Sequence, residues 1–205
     1  MEGLVVVSYW TRPVDGTRVT IAGLRECTTL ASLLLFVAMP FSVMAVPGRR
    51  EVLDTPRGIL LGLVCFGITF LVLGNQWLRY RTLMMGVGSA TPLLVAANVC
   101  MALPWIGVML ATANEIKQQM SSASVLRYAG WVFVLLLYQR CFGAICNASL
   151  DDRPRIGALV GGNLRMRLLH IQVSLAAALS LFSPRSSLLL IFVANTLFLW
   201  MEMRS

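Results

Sequence analysis

The chain holds a single histidine, His170, and a single lysine, Lys117, among 205 residues, and only nine acidic side chains. With one imidazole, set beside Arg165 and Arg167, the parts for a histidine metal centre or a Ser-His-Asp site are missing. His170 is expected to be a hydrogen-bonded residue at an interface. The five cysteines, Cys27, Cys65, Cys100, Cys141 and Cys146, are odd in number and contain no C-x-x-C pair, which argues for buried thiols rather than a disulfide framework or a metal site. Gly157, Gly161 and Gly162 follow no strand and lack the spacing of a phosphate-binding loop. Acids are equally scarce where chemistry would need them: Glu26 is the one expected near membrane depth, and it adjoins Arg25. That pairing fits either a local ion pair or a proton or cation site. No catalytic constellation, metal site or cofactor motif emerges, and an enzyme is not expected.

What the sequence has in excess is apolar residues. At 58% hydrophobic and 13% charged, with a mean hydropathy of +0.77, the composition is that of a polytopic membrane protein. The net charge of +8 is almost all arginine. Because these arginines stand between apolar runs, they predict topology rather than nucleic-acid binding. The first apolar run, LVVV at residues 4–7, is too short for a signal peptide and is followed by Arg12, Asp15 and Arg18.

The expected fold is all-α: an arm of residues 1–17 on the cytoplasmic side, then a six-helix transmembrane bundle over 18–205. The spans are placed at about 27–46, 58–78, 92–111, 126–146, 164–182 and 187–201. A polar loop, ATANEIKQQMSSAS, is expected between the third and fourth, and Ser183-Pro184-Arg185-Ser186 joins the last two as a hairpin. With the amino terminus inside, eleven basic residues fall on the inner side and six on the outer, so both termini are expected in the cytoplasm. The sequon Asn147-Ala148-Ser149 would then face inward.

In the first span, Arg25, Thr28, Thr29 and Ser32 recur at spacings of three and four and share one helix face. The stripe suits either helix packing or a path for a small polar solute or ion. Intramembrane amides recur further on: Asn75, Gln76, Asn98, Gln139, Gln172 and Asn195. Each is costly against lipid, so each is expected to point inward and hydrogen-bond across helices.

The order of these features resembles the potassium-channel family called transmembrane protein 175, in its single-repeat, six-span form. Arg18 stands where the family's first span opens on arginine, and Ser32-Leu33-Leu34-Leu35 where it has a Thr-Leu-Leu run. Phe66, Asn75-Gln76-Trp77, Tyr80 and Arg81 are similar to the family's second span, Leu103-Pro104-Trp105 to the step in its third, and Phe182-Ser183-Pro184 to its terminal turn. Ala22-Gly23-Leu24 occupy the positions of the family's Phe-Ser-Asp motif. The resemblance implies passive permeation of monovalent cations, potassium among them, along the first span of a homotetramer embedded in the lipid bilayer. It implies a narrowing at Thr28, Ser32 and Leu35, with Arg18, Arg25 and Glu26 bracing that span or forming its entrance. It further implies a plasma-membrane location in a prokaryote and an endolysosomal one in a eukaryote. The reading from another class is a non-conducting structural or accessory subunit of a membrane complex.

Overall fold

A computed structural model describes residues 55–87, 91–148 and 162–204. Their elements are all α-helices: α1 Pro56–Gly86, α2 Pro92–Cys100, α3 Ala102–Lys117, α4 Ser122–Ala148, α5 Gly162–Ser180 and α6 Pro184–Arg204. The arm 1–17 and the expected first span, with Arg18, Arg25, Glu26, Thr28, Ser32 and Leu35, lie outside the described residues.

Four helices start on a hydroxyl residue whose side chain caps the first turn. Thr55 Oγ1 accepts from Gly58 N at 3.0 Å, Thr91 Oγ1 from Leu94 N at 3.2 Å, Ser121 Oγ from Ser124 N at 3.2 Å and Ser183 Oγ from Ser186 N at 3.4 Å. At three of these starts proline follows, Pro56, Pro92 and Pro184, where its missing N–H costs nothing. Proline acts differently at Pro104. There it removes the hydrogen bond to Cys100 and crowds that carbonyl, and the helix breaks at Met101 between α2 and α3. Two tyrosines pin the break: Tyr138 on α4 donates to the Ala97 carbonyl and Tyr80 on α1 to Asn98 Oδ1.

Four helical stretches are long and apolar enough to cross a membrane: Pro56–Met84, Pro92–Lys117, Ser122–Cys146 and Pro184–Met201. Their outward faces carry large apolar side chains, with Leu60 and Leu63 each 64% exposed and Leu103 67% exposed. A water-soluble monomer rarely shows so much contiguous apolar surface, whereas lipid accepts it. The chain is therefore a multi-pass membrane protein, all-helical among the described residues. α5 forms where the fifth span is expected, but its sequence carries Arg165, Arg167, His170 and Gln172, and it is not among the four stretches.

α4 is central and touches every other helix; around it α3, α1, α6 and α5 follow as neighbours. Its inward face repeats at threes and fours through Val125, Tyr128, Val132, Leu135, Gln139, Phe142 and Cys146, all buried. The bundle packs tightly at Gly107 on α3, where an added Cβ would stand 2.1 Å from Trp131 Cε3. Only glycine leaves room for that indole. Gly107→Val is expected to cost about 1–3 kcal/mol by overpacking, and adding Trp131→Ala in the same chain should restore most of it. Unfolding titrations in mixed micelles compare the three variants.

The expected polar loop after the third span is much shorter than composition indicates. α3 continues to Lys117 and α4 begins at Ser122. The turn closes as a Schellman cap: Met120 N donates to the Glu115 carbonyl at 3.2 Å and Gln119 N to Ile116 O at 3.3 Å. Gln119 and Met120 both adopt left-handed backbone there, with φ of 49° and 57°. The helix survives its polar composition because Thr112 and Glu115 share a face that meets polar partners on α1 and α4.

Candidate functional site

On α1, Cys65, Thr69, Val72, Gln76 and Tyr80 follow one another at steps of four, three, four and four, and all five are buried. Such spacing keeps them on one helix face, and that face looks into the bundle. The result is a polar file along α1, interrupted at its middle by Val72 and flanked there by buried Leu73 and Leu135.

The file begins at Glu115. Its side chain is 1% exposed, and Cys65 Sγ approaches Oε2 at 3.9 Å. Oε1 has no hydrogen-bond partner among the described residues, and no ion pair to the group forms among them. Burying a carboxylate in such a place is costly without a cation beside it. One turn further in, Thr69 Oγ1 lies 2.8 Å from Thr112 Oγ1 and 3.1 Å from the Tyr128 hydroxyl. Thr112 also donates to the Val108 carbonyl at 2.9 Å. These hydroxyls stack directly beyond the carboxylate.

Past Val72 the groups are amides. Gln76 is fully buried; its backbone carbonyl accepts from Gln139 Nε2 at 2.7 Å, while its own Nε2 and Oε1 have no partner among the described residues. Asn75 Nδ2 donates to Asn195 Oδ1 across to α6 at 3.4 Å, and Asn195 Nδ2 to Ile191 O at 2.9 Å. Arg79 continues that side, its guanidinium 6.0 Å from the centroid of the Phe198 ring. Asn98, half-buried, takes the Tyr80 hydroxyl. Gln172 on α5 is also buried and donates to the Leu190 carbonyl at 3.3 Å. His170 sets its ring edge-on to Phe133 on α4 at 5.5 Å.

The structure thus brings Asn75, Gln76, Gln139 and Asn195 together at the carboxy-terminal half of α1, with Asn98 at its end. Glu26 lies outside the described residues, while Glu115, which the sequence leaves in a polar loop, is buried within α3. Composition hides it among Asn114, Lys117 and Gln118. The signal that finds it is periodic: Val108, Thr112 and Glu115 continue the buried face of α3 at steps of four and three. Comparison with family models, curated proteins and solved structures gives no match.

Proposed function

We propose that this protein passes small cations, protons or monovalent metal ions, passively across a membrane, and that Glu115 is the group that holds the cation inside the bundle. The observation carrying this reading is the Glu115 carboxyl, buried in α3 with one oxygen unpartnered and no ion pair among the described residues. Ionisable groups are expensive in such places and typically mark ion or proton routes. The hydroxyls of Thr69, Thr112 and Tyr128 would replace part of a cation's hydration, and Val72 with Leu73 and Leu135 would form an apolar gate. In the full proposal the chain has six spans and cytoplasmic termini. The first span adds the narrowing at Thr28, Ser32 and Leu35 that the resemblance to transmembrane protein 175 implies, in a homo-oligomer. Reconstitution tests it: liposomes holding the protein should dissipate a potassium or proton gradient faster than empty ones, and no added flux removes the proposal.

The accessory-subunit reading draws on a different observation. Asn75 with Asn195 and Gln139 with the Gln76 carbonyl join helices across the core, at ~0.6–2 kcal/mol each, as packing contacts do. Orientation is tested separately. A tag after Ser205 should be reached only from the cytoplasm; labelling from outside intact cells would invert the topology.

A further inference from the structure

Between the amino-terminal halves of α1 and α6 lies a groove of about 990 Å³, lined by Leu60, Leu63, Val64, Leu189 and Phe192 with Ile68 and Leu188 as its floor. That volume stands at the upper end of ordinary ligand pockets, ~300–1,000 Å³. Leu60, Leu63 and Leu189 are each more than half exposed, so the groove opens sideways toward lipid. Gly67 also lines it, and a Cβ there would meet nothing within 4 Å. Its lining includes two charges, Arg57 and Arg185, both exposed, and no acidic side chain. Neither arginine forms an ion pair or hydrogen bond among the described residues. They sit in the first turns of α1 and α6, where helix dipoles add to the positive potential.

We infer that this groove binds one anionic phospholipid, its acyl chain against Leu63, Ile68 and Phe192 and its phosphate on Arg57 and Arg185. Charge complementarity selects this occupant. An apolar trough open to the bilayer takes an acyl chain from any lipid, but two guanidiniums at its rim, without an ion pair among the described residues, favour a headgroup with net negative charge, and guanidinium matches phosphate oxygens bidentately. The site is separate from Glu115, which does not line it.

Native mass spectrometry of the protein released from micelles with added phosphatidylglycerol or phosphatidylcholine tests the inference. One phosphatidylglycerol per chain should be retained in preference to phosphatidylcholine. Arg57→Gln with Arg185→Gln should lower that retention by about thirtyfold, the scale of two arginines acting at an anionic surface. Gly67→Leu fills the trough without touching the charges, and should lower retention of both lipids while leaving the thermal midpoint unchanged. Equal retention of the two lipids, or undiminished binding in both variants, overturns the site. So does competition by inorganic phosphate, which would mark a soluble anion as the ligand. Benzoylphenylalanine installed in place of Leu60, at the exposed rim of the groove, adds a further arm: cross-linking to phosphatidylglycerol supports the site, and cross-linking to residues 1–54 of the same chain overturns it.

Discussion

Glu115→Gln is expected to reduce cation flux per folded protein by about a hundredfold or more. At an effective dielectric of about 20, a cation ~4 Å from the carboxylate gains about 4 kcal/mol, and losing most of that lowers occupancy by two orders of magnitude or more. The exchange is nearly isosteric, so folding should be retained; a neutral amide beside Cys65 also costs less to bury than a charged carboxylate. Unfolding measurements should show equal or higher stability. Glu115→Asp keeps the charge and should keep part of the flux. Unchanged flux in the glutamine variant, measured against folded protein, would confine Glu115 to a packing role.

The second large effect belongs to the first span. Thr28 and Ser32 stand four residues apart, so on a helix they stack on one face about 6 Å apart along the axis, with Leu35 three residues beyond. Replacing both by leucine would extend the apolar collar that Leu35 begins. Water would leave the collar and an ion would cross it unhydrated, at a cost of several kcal/mol and a fall in flux by orders of magnitude. Were the stripe only helix packing, stability would fall by roughly 1–2 kcal/mol and flux would persist. Dye-based flux in liposomes, normalised to folded oligomer, separates the two outcomes.

The helical architecture was legible because apolar runs longer than a bilayer leave few alternatives. The second span was expected to end near Leu78, at the last apolar residues, yet α1 continues to Gly86. At ~46 Å it exceeds the ~30 Å hydrocarbon layer. Its extension packs arginine onto aromatic rings, Arg81 over Trp77 at 5.6 Å and Arg79 over Phe198. Those contacts are set by a neighbouring helix and by helix continuation, which an apolar-run criterion does not weigh. The third span shows the opposite failing. Pro104 announces a break, and the four-residue reach of a proline clash places it near Cys100, where α2 ends.

The site was less legible than the fold for a related reason. Asn75 and Asn195 are conspicuous as amides inside apolar runs. Glu115 lies in a stretch whose composition is that of a loop, and only partners distant in sequence make it helical and buried. Cys65, Thr69 and Tyr128 are unremarkable singly in their own spans. They form a site because α1, α3 and α4 bring them together around the carboxyl group.

Whether Glu115 meets the cation is tested most directly by a hydrophobic carbodiimide. Such a reagent partitions into the bilayer and reacts with carboxyl groups in apolar surroundings. Protein in liposomes would be treated, its flux recorded, and its peptides mapped by mass spectrometry in the same samples. Modification at Glu115 and loss of flux in proportion to the fraction modified are the expected result. Flux that survives complete modification of Glu115 would contradict it.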